Sequence, residues 1–123
     1  MSVVMTCVKN VKFDSEQFQT SSIDHTGVAG EKISAAIPAL STNYAVSIPN
    51  FTPSDLLAFW ISADQACSIF LITGTGADEI QLDAGNSWLW EYGQAWPWDD
   101  AEEVTGLEVT CTALTNIVGR FVQ

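Results

Sequence analysis

Positive charge is nearly missing from this chain. Lys9, Lys12, Lys32 and Arg120 are its only cations against fifteen Asp and Glu, giving a formal net charge of -11, and residues 33–119 hold eleven carboxylates with no Lys or Arg among them. A nucleic-acid surface needs several cations to displace the counterions condensed on phosphate, and an anionic membrane surface needs the same. Neither nucleic acid nor membrane is therefore an expected partner, and the charge points instead to solubility and to contact with basic surfaces or cations. Histidine is scarcer still. His25 is the only one, so catalysis of the Ser-His-Asp or Cys-His kind has a single base to draw on. It lies beside Asp24 in a Thr-Gly segment, without a nucleophile elbow in the neighbouring sequence. The expectation is an exposed loop histidine and no enzymatic activity.

Cysteine is sparse and scattered. Cys7, Cys67 and Cys111 are odd in number, without C-x-x-C spacing, and two sit in apolar runs. This predicts buried thiols and argues against a disulfide-stapled secreted domain; one His and three separated Cys form a metal set only if the fold gathers them. No metal and no cofactor are expected. The first residues lack the basic and long apolar stretches of a signal peptide, and the longest apolar run, Leu56 to Ile61, is far shorter than a membrane span. Synthesis in a cytosol is the expectation. Gly74-Thr75-Gly76-Ala77 lacks the Gly-Lys-Ser/Thr of a phosphate loop and reads as a hairpin turn. The acidic group Asp99-Asp100-Ala101-Glu102-Glu103 lacks the spacing of an EF-hand loop and reads as a solvated turn.

What is present is strand material. Apolar residues make up 47% of 123 residues, enough for one core in one domain. Tyr44, Val46 and Ile48 alternate with Ala45 and Ser47; Ile80 and Leu82 alternate with Glu79, Gln81 and Asp83; Leu107, Val109 and Cys111 alternate with Glu108 and Thr110. Each has the period of a half-buried strand. Leu56–Ile61 and Cys67–Ile72 read as central strands, apolar on both faces, joined by a short turn. A short helix beginning at Thr52 competes for the first of them, because Thr-Pro-Ser-Asp supplies an N-cap, a Pro at the first helical position and an early acid. A final strand spans Ile117 to Val122. Residues 1–32, with three of the four cations, read as a polar N-terminal arm or edge-strand region that orders against a neighbour, and residues 33–123 as a single antiparallel β-sandwich, all-β and jelly-roll-like, the whole making one domain.

Four of the five tryptophans fall within Ser87–Trp98. Strand parity places Trp88, Trp90 and Tyr92 on one face, and Trp96 and Trp98 flank Pro97 in a following loop. A core lid, a stacking platform for sugars and anchors for a protein interface are three readings of this segment. The expectation is mixed: the strand face inside, the Trp-Pro-Trp loop partly outside.

From Leu56 onward, the order of apolar strand, Gly-rich turn, Asp78-Glu79-Ile80-Gln81-Leu82-Asp83-Ala84-Gly85, Trp88-Leu89-Trp90, Gly93, loop and Glu103-Val104-Thr105-Gly106-Leu107-Glu108-Val109-Thr110 resembles small β-sandwich virion proteins of tailed bacteriophages, capsid decoration or cement proteins above all. The resemblance implies a non-enzymatic structural protein, carried in the virion and assembled in the host cytoplasm. It implies an oligomer, often a trimer, that binds major capsid protein or other virion subunits. Trp96, Trp98, Trp88, Trp90, Lys9 and Lys12 are the candidate contact residues. A carbohydrate-binding module, or a small receptor-binding protein of a tail or baseplate, is the alternative, with Trp88, Trp90 and Trp98 as stacking faces.

Overall fold

Alternation of large apolar with polar or small residues decides this architecture, because a strand with one apolar face must bury it against another sheet. The computed structural model describes residues 2–13, 16–27, 29–98 and 102–123, the side chains of 9–13 and 16–21 aside. These residues form β1 (Val3–Phe13), β2 (Glu16–Gly27), β3 (Gly30–Ile37), β4 (Ser41–Val46), β5 (Ala58–Ala63), β6 (Cys67–Ile72), β7 (Ala77–Leu82), β8 (Ser87–Glu91), β9 (Gly106–Cys111) and β10 (Thr115–Val122). One sheet has the order β3-β10-β5-β8 and a second the order β4-β9-β6-β7, all antiparallel, while β1 and β2 pair as a separate hairpin.

That strand order is a jelly roll. About the turn at 73–76, β6 pairs β7, β5 pairs β8, β4 pairs β9 and β3 pairs β10, as though one long hairpin had been rolled so that its two halves pack face to face. The expected all-β antiparallel sandwich is what forms. Short turns at 38–40, 64–66, 83–86 and 112–114 carry the chain between sheets at one end, while the longer connections 47–57 and 92–105 lie at the other.

Phe59, Ile61 and Ala63 of β5 and Ile117 and Phe121 of β10 point inward against Ile69 and Leu71 of β6 and Leu107 and Val109 of β9. Phe51, bridged to Val104 across the long connections, completes an aromatic group, with its ring 5.1 Å from Phe121 and 5.6 Å from Phe59. The helix considered from Thr52 is reduced to one 3-10 turn, Pro53–Asp55; Thr52 is extended and makes no side-chain cap. The period-two burial of Phe59, Ile61 and Ala63 overrides the capping signal. The two central apolar segments do follow one another through a short turn, but the turn places them in opposite sheets.

The N-terminal boundary changes. Residues 1–32 are not a separate arm, since β3 begins at Gly30 inside the sandwich and pairs along its length with β10. Ahead of it, β1 and β2 lie over the outer face of the first sheet. The register row Val122, Ala58, Glu91 points to that outer face, yet all three are buried. Closeness of approach explains two glycines: a Cβ on Gly27 would stand 2.4 Å from the Gln123 carbonyl oxygen, and one on Gly30 would stand 2.5 Å from Val3 Cγ1. Reciprocal backbone bonds, Ala29 N–H to Gln123 O at 3.0 Å and Gln123 N–H to Ala29 O at 2.9 Å, close the seam.

Phe59→Ala is expected to lower unfolding free energy by about 3–5 kcal/mol in urea titrations, the range for deleting a buried aromatic. Phe70→Ala, on the half-buried outer side of β6, is expected to lose clearly less. At the short-turn end, Asn116 donates its backbone N–H and its side-chain amide to the Asp64 carboxylate, both at 2.8 Å, and these bonds hold Asp64 below the usual carboxylate range. A depressed folded-state pKa contributes stability that is complete above the unfolded value and lost as pH falls through the folded one. Asp64→Asn is therefore expected to flatten the acid limb of the stability profile below about pH 4 without altering the neutral plateau's shape.

Candidate functional site

The register of the N-terminal hairpin brings together residues far apart in sequence. Met5 pairs with His25 and Cys7 with Ile23, so Cys7 and His25 are diagonal neighbours across the two strands. Both are buried, and Glu91 reaches them from the outer face of β8. His25 Nε2 lies 2.9 Å from Glu91 Oε1. Donor atoms of Cys7, His25 and Glu91 all lie within 4.8 Å of one another. This overturns the expectation of an exposed loop histidine: the imidazole sits on a strand, only 8% exposed, and anchors the hairpin to the sandwich. The hairpin covers all three groups, and Cys7 is 5% exposed.

The tryptophan segment divides. Trp88 and Trp90 point inward from β8, opposite Ile61 and Phe59, and Trp96 and Trp98 pack against them. Ring centroids are 5.4 Å apart for Trp90–Trp96, 5.6 Å for Trp88–Trp98 and 5.2 Å for Trp96–Trp98, tilted or edge to face. The Trp90 indole N–H donates to Ala95 O at 3.3 Å. These rings close the core at the long-connection end, with Trp96 and Trp98 half-buried. Tyr92 does not join them. β8 stops at Glu91, and a turn closed by Gln94 N–H to Glu91 O at 3.0 Å, with Gly93 at φ +98°, swings Tyr92 out to 68% exposure. Strand parity failed there because the glycine ended the strand. Lys9 and Lys12 lie on β1, their side chains outside the described residues, as are Asp99, Asp100 and Ala101 of the acidic group. Glu102 of the same group accepts a bond from Thr75 Oγ1 at 3.1 Å.

The outer faces of the two sheets differ in charge. Lys32, Arg120, Trp60 and Leu89 form one register row on the first sheet, and Glu108, Phe70 and Glu79 form one on the second. At the short-turn end, Leu40 is 82% exposed and Leu114 59% exposed. Their turns are joined by Leu40 N–H to Thr112 O at 3.0 Å. Leu40 also has φ +60°, a left-handed backbone that a branched side chain adopts at a cost of about 1–2 kcal/mol. Neither leucine stood out in the sequence, where each looks like an ordinary turn-flanking apolar residue.

The cysteines are buried as expected. Cys67 and Cys111 oppose one another on β6 and β9, and burial, reinforced by Cys111 and Asp64, pushes the Cys67 thiol up to about 11.

The fold and these clusters define a jelly-roll β-sandwich with an N-terminal hairpin docked across one sheet. Comparison with protein-family models, with curated proteins and with solved structures gives no match. No helix among the described residues is long and apolar enough to cross a membrane.

Glu91→Ala leaves the His25 ring buried without this carboxylate, and is expected to cost about 1–3 kcal/mol. Amide exchange should accelerate in β1 and β2 more than in β6 and β9. A raised folded-state pKa contributes stability that is present below the unfolded value and lost as pH rises through the folded one. Unfolding free energy is thus expected to fall between pH 9 and about 11, the span over which the Cys67 thiol is raised, with Cys67→Ala flattening that decline. Alkylation at neutral pH should leave Cys67 intact until denaturant is added.

Proposed function

We propose that this chain is a non-enzymatic structural subunit of a tailed-bacteriophage virion, a capsid decoration protein that stabilises the shell by binding between major capsid subunits. The observation that carries this reading is the short-turn end of the jelly roll, where Leu40 and Leu114 stand exposed on two turns joined by a backbone bond and Leu40 does so on a strained backbone. A large apolar side chain kept exposed in a left-handed conformation contributes nothing to the stability of the free domain; seated in a partner's pocket it is an anchor. Val4 and Val8, exposed on β1, add separate apolar area on the hairpin. The enclosure of Cys7, His25 and Glu91 beneath that hairpin supports a binding rather than a catalytic role.

The carbohydrate-binding alternative has less support. Trp90 is buried and Trp88 packs in the core cluster, which removes two of its three stacking faces. Trp98 and Trp96 keep partial exposure and remain candidate contacts, while Trp88 and Trp90 act through the core.

Leu40→Gly separates a contact from a fold effect. It is expected to raise the free domain's stability by about 1 kcal/mol, through relief of the left-handed strain, while weakening co-sedimentation with empty shells of the encoding phage at least tenfold. Unchanged shell binding by Leu40→Gly and Leu114→Ser together, or no sedimentation of the wild-type chain with shells, would sink the reading.

A further inference from the structure

The seam between hairpin and sandwich has the chemistry of a metal site. Cys7, His25 and Glu91 come from β1, β2 and β8, three strands that only the finished fold brings together, and each presents a donor atom of a different kind inside a 4.8 Å circle. All three residues are buried. Thiolate, imidazole and carboxylate are the ligands of a borderline divalent ion, with bonds of about 2.3, 2.0–2.1 and 2.0–2.2 Å respectively. A tetrahedral set with those lengths separates its donors by about 3.3–3.7 Å. Imidazole and carboxylate at 2.9 Å stand a little closer than that spacing and every pair lies inside 4.8 Å, so small side-chain rotations bring the donors to it.

Charge favours the same occupant. A thiolate and a carboxylate together carry two negative charges, which a dication cancels while the imidazole stays neutral, so the loaded site is electrically neutral where charge is most costly to bury. A monovalent ion leaves a buried negative charge. Calcium or magnesium prefers an all-oxygen shell of six or more ligands, which a sulfur and a nitrogen do not supply. We infer that Cys7, His25 and Glu91 bind one zinc-class divalent ion, with water in the fourth position, and that this ion clips the N-terminal hairpin onto the outer face of the jelly roll. Binding releases the Cys7 proton to solvent and involves no redox step.

The chain's single histidine makes the test direct. Untagged wild-type protein, stripped with chelator, is titrated with zinc while the imidazole nitrogen resonances of His25 are followed by NMR, and in parallel with cobalt while the thiolate-to-cobalt absorption band is followed. The expected result is a histidine signal that shifts and saturates at one equivalent of zinc, a cobalt band that also saturates at one equivalent, and slowed amide exchange in β1 and β2 on loading. Cys7→Ala is expected to abolish the cobalt band. His25 resonances unmoved by excess zinc in the folded wild-type protein overturn the site, and so does a histidine shift without a thiolate band, which excludes Cys7 as a ligand. A cobalt band that persists in folded Cys7→Ala overturns it as well. Should Cys7→Ala fail to fold, the wild-type resonances and band decide alone.

Discussion

Strand β10 holds the molecule together. It pairs with β3 on one edge and β5 on the other, so the first sheet exists only once residues 115–122 are in place. Its inward residues Ile117 and Phe121 enter the core, and its outward Val122 supports the hairpin. Gly119 lies between them with room for little else, since a Cβ there would meet the Trp60 carbonyl oxygen at 3.0 Å. Every other layer is placed by this strand: the second sheet by the inner face, the β1–β2 seam by the outer one. Pairings nested about a single central turn join residues far apart in sequence, and such topologies pay loop-closure entropy before contacts reward it.

Much of the sandwich was legible because its strands are wet on one side. Ile80 with Leu82 and Leu107 with Val109 alternate cleanly, and both segments lie where that alternation puts them. Phe59, Ile61 and Ala63 also alternate, but Ala58 beside Phe59 is buried from the other side by the hairpin, which made the segment look uniformly apolar and admitted a helix. The hairpin itself was the least legible element. β2 is polar, its pairing with β1 shifts register between Lys9 and Asn10, and the hairpin's burial depends on a sheet whose outer face the sequence marks only with Ala58, Glu91 and Val122. For the same reason the Cys7–His25–Glu91 cluster was hidden. Each member looked ordinary in its own segment, and only the pairing of β1 with β2 and their docking on β8 bring the three together.

The aromatic segment was legible in its parity and not in its ending. Trp88 and Trp90 point to the core as their spacing requires, whereas Gly93 turns the chain and leaves Tyr92 outside. The Trp-Pro-Trp loop stays partly outside, as expected, with Trp96 and Trp98 half-buried against the strand, because four indoles tilted against one another remove apolar area from water. The consequence for the proposed role is a relocation of contact area from the tryptophans to the leucines of the short-turn end and the valines of the hairpin.

The unlike rows on the two outer faces give the sandwich a direction across its thinnest dimension. Lys32 and Arg120 sit on one side of the double layer and Glu79 and Glu108 on the other, so a strongly acidic molecule still presents its one described pair of cations on a single face. The β1–β2 hairpin lies over that same face of the first sheet, so among the described residues the uncovered face is the acidic one of the second sheet, and a cationic surface is what the molecule turns toward before any apolar contact forms.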